Sequence, residues 1–278
     1  MADIVPPPLP CSPASFPGHN VLMANPAASF LSPDFIAMAH RGGALLTANL
    51  GIENTVRAFD NAVQLGFRYI ETDVQVTSDG VPVLFHDDTV TRLTDEPDLI
   101  SSIPFSRLKQ IRVGGREPIP TLDEVFEHFP NVRFNIDMKV DRSVELLADT
   151  IRKHNAARRV CVGSFSRSRL RRFRRLCPDV PTSFSPLGVI ALRLGLRPAT
   201  GSAFQIPIQH SFWGMTVKLV TPKRVAAIHD YGRKVHVWTI DDPQTMHQLI
   251  DWGVDGIITD RPDLLKGVLR NRGMWSTR

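Results

Sequence analysis

Glu71 and Asp73 stand two residues apart in the run Tyr69-Ile70-Glu71-Thr72-Asp73-Val74-Gln75-Val76. The run has strand composition, and residues two apart on a strand share a face. Both carboxylates therefore converge on one spot. Crowded negative charges call for a cation, and hard oxygen donors suit Mg²⁺ or Ca²⁺ better than a soft metal. Thr77-Ser78-Asp79-Gly80 then turns the chain. The short apolar run from Val81 to Phe85 returns His86 and Asp87 to the neighbourhood of the acids. Carboxylates able to hold a cation, beside an imidazole that titrates near neutrality, suit phosphoryl chemistry. Read blandly, the same residues are a strand with two incidental acids.

A second run, Asn135-Ile136-Asp137-Met138-Lys139, alternates polar and apolar residues. Asn135, Asp137 and Lys139 share one face, while Ile136 and Met138 face the other way. Three polar groups aimed into a protein interior are costly unless water, metal or ligand satisfies them. Asp137 reads as a third oxygen ligand and Lys139 as a partner for a phosphate oxygen. The alternative is an internal Asp137–Lys139 ion pair that only fills the space. His40-Arg41-Gly42 ends an earlier apolar run. Arg41 offers a planar fork suited to phosphate, and Gly42-Gly43 reads as room for a ligand to approach closely.

Positioning these groups requires an ordered series of strands. Strand patterns fall at 36–39, 69–76, 132–138, 159–163, 181–184, 202–206, 234–238 and 255–258, with 81–85 as a local hairpin. Helical patterns fall between them, at 54–66, 121–129, 143–155, 166–176, 187–194, 222–231, 242–252 and 262–270. Asn54-Thr55 can cap the first helix, and Thr121 with Glu124 has capping-box spacing. Eight strands alternating with helices imply an α/β fold, a closed (β/α)₈ TIM barrel with its chemistry at the C-terminal strand ends. The expectation is one catalytic barrel over 35–270, a flexible or loosely packed arm over 1–34, and a tail over 271–278.

Composition narrows the partners. The chain has 278 residues, 42% of them hydrophobic, and a formal charge of +5. A pI near 9.4 suits anionic ligands. The basic residues are not interleaved with stacking aromatics, which argues against nucleic acid. Cys11, Cys161 and Cys177 are too scattered for a disulfide framework or a zinc site. The Pro- and Ala-rich opening lacks the pattern of a signal peptide, and no stretch approaches the ~20 apolar residues of a membrane span. A cytoplasmic protein without stable membrane insertion is expected. The densest charge run, Arg167 to Arg175, reads as a solvated outer helix, or alternatively as a peripheral contact with an anionic membrane.

The motifs HRG (40–42), ENT (53–55), ETD (71–73), TSDG (77–80), PVLFHD (82–87), PTLDE (120–124), NIDMK (135–139), SF (164–165), VWTID (237–241) and GVDGIITDRPD (253–263) occur in one order over 36–267. In this the chain resembles the glycerophosphodiester phosphodiesterase family, TIM barrels of the phospholipase C-like phosphodiesterase type. The resemblance implies one divalent ion, Mg²⁺ or Ca²⁺ with Mn²⁺ as a further candidate. Glu71, Asp73 and Asp137 would hold it, with Glu53 in or near its shell. It implies His40 and His86 as an acid–base pair, Arg41 and Lys139 on the phosphate, and Trp238 lining the substrate pocket. It also implies hydrolysis of glycerophosphodiesters to glycerol 3-phosphate and an alcohol.

Three departures stand out. The family usually has Glu where Asp137 stands, and the loop from His40 to Glu53, in which Ile52 replaces the family's common Pro, is longer than usual. The segment between Asp87 and Asn135 is too short for the extra domain some members insert there. Two other readings stay open. One is a phospholipase D-like enzyme acting on lysophospholipids, with the stretch from Leu187 to Phe212 supplying an apolar pocket mouth. The other is a non-catalytic barrel that binds phosphorylated metabolites.

Overall fold

All eight residues of Tyr69–Val76 are buried, and alternation divides them between two interiors. Ile70 and Val74 point outward. They pack with Ile136, Met138, Leu122, Val125, Leu147 and Ile151 in a core between sheet and helices. Glu71 and Asp73 take the opposite, inner face, as do Asn135 and Asp137 on the neighbouring strand, with Glu71 beside Asn135 and Asp73 beside Asp137 in register. The pleat thus separates an apolar shell from a polar barrel mouth.

The computed structural model describes residues 30–275, apart from 194, 197, 199, 213 and 214. Its barrel strands, numbered one to eight in chain order, are Ile36–His40, Tyr69–Val76, Arg133–Met138, Val160–Gly163, residues 182–183, Ala203–Pro207, Lys234–Trp238 and Gly256–Thr259. Each pairs in parallel with the next, and strand eight pairs with strand one. Closure depends on the fifth and shortest. Ser183 N–H donates to Val162 O at 2.9 Å, and Phe184 N–H donates to Ala203 O at 3.1 Å. Pro181 and Pro186, which lack the amide hydrogen a ladder needs, bracket this strand and keep it short.

The capping residues expected from the sequence do cap. The Thr55 hydroxyl accepts from Ala58 N–H, and Thr121 with Glu124 forms a full capping box. An antiparallel hairpin, Gln209–Phe212 with Met215–Lys218, goes beyond the sequence expectation. A smaller core under the loops after strand two joins Val83, Phe85, Val90, Ile100, Leu108 and Val113. Of the arm, residues 1–29 lie outside the described residues, as do 276–278 of the tail. Phe30 is fully buried, packs edge-on against Tyr69 and accepts a 2.8 Å hydrogen bond from its hydroxyl. Trp275 packs against Phe67. Among the described residues no helix is long and apolar enough to cross a membrane.

Candidate active site

A cavity of about 400 Å³ opens at the C-terminal ends of the strands. Its polar floor is built from His40, Arg41, Glu71, Asp73, His86, Asp137 and Lys139, and Trp238 stands in its wall. The structure therefore brings every expected site residue except Glu53 to the cavity surface. Glu53 lies behind Arg41.

Each histidine has a carboxylate behind it. His40 Nδ1 is 2.8 Å from Asp260 Oδ1, and His86 Nδ1 is 2.5 Å from Asp87 Oδ1. An ionised carboxylate can only accept, so Nδ1 carries the proton in both rings. Nε2 is left as the nitrogen able to take or give one. His40 Nε2 lies 3.6 Å from Glu71 Oε2. Burial alone would lower the His40 pKa, but Glu71 and the bond to Asp260 outweigh it and raise it.

The acids are unequally neutralised. Burial, helped by Asp73, pushes Glu71 up to about 8 against the pull of His40 and Arg41. Asp73 is equally buried, yet Lys139 and Arg41 hold it below the usual carboxylate range. Burial also raises Asp137, against Lys139 and with Asp73. Lys139 Nζ lies 2.9 Å from Asp73 Oδ1 and 2.8 Å from Asp137 Oδ2. The ion pair considered as the alternative reading is thus present, at the point where a metal was expected. Among the described residues no three His, Cys, Asp or Glu side chains close on a common point as the side chains stand. The donors nevertheless suit a hard divalent cation in kind. Glu71 is a buried carboxylate without a full countercharge, the condition a bound cation corrects.

Arg41 takes a left-handed backbone (φ 50°) directly after strand one. Its Nη1 donates to Glu53 Oε1 at 2.8 Å, and its Nε lies 3.3 Å from Asp73 Oδ2. Asn49 pins the long loop between His40 and Glu53 by donating to the carbonyls of Gly42, Gly43 and Ala58. Gly42 and Gly43 do not make the room for a ligand that the sequence suggested. A Cβ on Gly42 would come within 2.9 Å of Ala58 and Phe59, and one on Gly43 within 2.5 Å of Pro262. Their close approach is to the protein's own helices rather than to a ligand.

Several functional partners escaped the sequence reading. Asp260 falls inside the GVDGIITDRPD motif, where nothing marks it as the partner of His40. Asn54 donates to Asp73 Oδ2 at 2.9 Å, a contact its motif position does not announce. Arg92 binds Asp87 and Glu53 from an aperiodic loop. The wall opposite the acids is apolar, with Phe165, Phe184, Val189, Ile190, Leu219 and Trp238. Phe165 meets Trp238 edge-on at 6.0 Å between ring centroids.

A family model described as the glycerophosphoryl diester phosphodiesterase family matches residues 40–264. This chain belongs to that family. It is similar to a Mycobacterium tuberculosis protein named "Probable glycerophosphodiester phosphodiesterase 2", at 38% identity over 249 residues covering 86% of this chain and 92% of that protein. It is also similar to the human lysophospholipase D GDPD1, at 27% identity covering 84% of this chain and 86% of the human one. Among solved structures, a phosphodiesterase from Oleispira antarctica in complex with the product sn-glycerol-3-phosphate superposes with a TM-score of 0.70. That match has 24% identity and covers 84% of this chain and 96% of that one, and it supports the barrel fold. As a glycerophosphodiester phosphodiesterase family member the chain is a phosphoric diester hydrolase, and the cavity at its strand ends is the place to seek that chemistry.

Proposed function

We propose that this protein hydrolyses glycerophosphodiesters to glycerol 3-phosphate and an alcohol, using His40 and His86 as an acid–base pair. The observation that carries this reading is the pairing of both imidazoles, each held at Nδ1 by a carboxylate, on one cavity. In-line displacement at phosphorus needs a base on the attacking side and an acid on the leaving side. Two rings held at Nδ1 meet both needs when one is neutral at Nε2 and the other carries a proton there. One takes the proton of the glycerol hydroxyl next to the phosphate as its oxygen attacks, and the other protonates the departing alcohol. The cyclic phosphate so formed is opened by water with the two roles exchanged.

Glu71, Asp73 and Asp137 would hold a divalent cation, which supplies charge neutralisation at the phosphoryl oxygens. With those carboxylates engaged, Lys139 and Arg41 turn their donors to the same anionic oxygens. The apolar wall leaves water fewer routes to the reacting centre.

The apolar wall also favours a second reading, phospholipase D-like cleavage of lysophospholipids. Phe165, Leu187 and Ile190 are exposed apolar residues in or beside the mouth, where an acyl chain could lie. A relative carries the name lysophospholipase D. Arg167, Arg171 and Arg175 stand exposed at helical spacing on the basic helix Arg167–Leu176, which supports transient contact with an anionic membrane. Sedimentation with liposomes that ignored anionic lipid content would remove that contact.

The deciding experiment is turnover on glycerophosphocholine, glycerophosphoethanolamine and lysophosphatidylcholine after EDTA treatment and after restoring Mg²⁺, Mn²⁺ or Ca²⁺. Metal-restored release of glycerol 3-phosphate from the first two supports the main reading. Turnover confined to the lysolipid supports the second. Wild-type turnover by both His40→Ala and His86→Ala would falsify the two-histidine mechanism.

A further inference from the structure

Arg92 lies six residues beyond His86 in the chain and joins two parts of the site that no strand connects. Its Nε donates to Asp87 Oδ2 at 2.6 Å, while Nη1 and Nη2 donate to Glu53 Oε2 and Oε1 at 3.1 and 2.7 Å. Each of those carboxylates has a second duty. Asp87 Oδ1 holds His86 Nδ1 at 2.5 Å, and Glu53 Oε1 accepts from Arg41 Nη1 at 2.8 Å. The resulting chain runs His86, Asp87, Arg92, Glu53, Arg41. It ties an imidazole delivered by the hairpin after strand two to a guanidinium at the end of strand one.

We propose that Arg92 is a positioning residue that sets the spacing between His86 and Arg41. This rests on the reading of His86 as an acid–base group and Arg41 as a phosphate donor. The chemistry asks for arginine at this position. A planar fork can serve two carboxylates at fixed angles, whereas an ammonium is a point charge on a flexible stem. The backbone beneath is itself held. Val90 belongs to the smaller core, Leu93 N–H donates to Val90 O at 3.2 Å, and Gly114 N–H donates to Leu93 O at 2.8 Å.

Arg92 also governs how strongly Glu53 claims Arg41. Both Glu53 oxygens accept from Arg92, and one is shared with Arg41. Without Arg92, the buried Glu53 would draw Arg41 fully to itself and away from the cavity. Asp87 would lose the charge that aligns it behind His86. A reacting group displaced by about 1 Å costs on the order of 100-fold in rate. Glu53 is then an anchor for two guanidiniums, a role separate from the metal shell expected of it.

The test is steady-state kinetics on glycerophosphocholine for Arg92→Gly, Arg92→Lys, His86→Ala and Arg41→Ala, each with a thermal melt. Arg92→Gly should lose roughly 10- to 100-fold in kcat, as removal of a supporting partner behind a catalytic group typically does. Its KM should rise, and added guanidinium chloride should restore part of kcat. In an Arg41→Ala background, Arg92→Gly should still lower kcat but leave KM unmoved. Arg92→Lys should melt like the wild type and still lose about tenfold. Wild-type kcat and KM in Arg92→Lys, or a loss in Arg92→Gly that guanidinium leaves untouched, overturns the proposal. Wild-type turnover in His86→Ala and Arg41→Ala instead overturns the reading of the site on which it rests.

Discussion

The Lys139 ammonium bonds Asp137 Oδ2 at 2.8 Å, two residues along the same chain, and reaches across to Asp73. It thereby fills with a fixed charge the space that a divalent cation would share with both acids. Burial alone would lower the Lys139 pKa, but Asp73 and Asp137 outweigh it and raise it. Lysine therefore stays charged, and under the proposed mechanism it would compete with metal for the acids and donate to substrate.

Lys139→Met separates these roles. Turnover should fall on the order of 100-fold, the usual cost of removing one preorganised donor at a reacting oxyanion. Divalent affinity, read by calorimetry on metal-free protein, should hold or tighten, since a competing charge has gone. Metal affinity lost along with turnover would mean that Lys139 organises the acids rather than competing for them.

Glu71 gives a pH dependence with a definite sign. Its carboxyl is pushed up to about 8 by burial and Asp73, from an ordinary 4.5. A folded-state pKa above the unfolded one stabilises the fold fully below the unfolded value, and that stability is lost as pH rises through the folded value. The raised His40 acts in the same direction. The melting temperature of metal-free protein should therefore fall between about pH 5 and pH 8. Saturating divalent cation should flatten the slope, and Glu71→Gln should weaken it without metal. A melting temperature that climbs with pH over this window in the wild type would remove the argument.

The barrel was legible because its strands declare themselves twice, by apolar runs and by polar residues at their ends. Glu71, Asp73, Asp137 and Lys139 could be placed together because a period of two fixes which side chains share a face. Loops carry no such period. Arg92, in an aperiodic loop, finds its partners only after the smaller core folds beneath it, and Asn49 pins its loop through backbone carbonyls that no pattern marks. Gly42 and Gly43 were recognised as close-approach positions, yet spacing alone could not say what approaches. The fifth strand was expected over 181–184 and contributes two bridging residues, because prolines limit the ladder on either side.

The apolar wall predicts a substrate split. Ile190 lines the cavity and is 44% exposed, so a polar residue there should be tolerated by the fold. Ile190→Asp should raise KM for lysophosphatidylcholine about tenfold, in line with removing one buried apolar side chain from an acyl contact. It should leave glycerophosphocholine kinetics unchanged, since that substrate has no chain to lay on the wall. Equal effects on both substrates would assign Ile190 to general access rather than to an acyl site.

Asp260 holds His40 through a single 2.8 Å bond, which makes Asp260→Asn a clean probe of the ring's tautomer. An asparagine amide can turn its NH₂ towards Nδ1, leaving the proton on Nε2, where the ring can no longer act as a base. The side chain keeps its shape, so the fold and KM should be close to wild type. The cost should appear in kcat, roughly 100- to 10,000-fold, as when a carboxylate behind a catalytic histidine is replaced by its amide. The loss should persist at higher pH, since a neutral imidazole held in the wrong tautomer has no proton that titrates in the working range. Unchanged kcat in Asp260→Asn, with His40→Ala inactive, would show that His40 works without the Asp260 carboxylate.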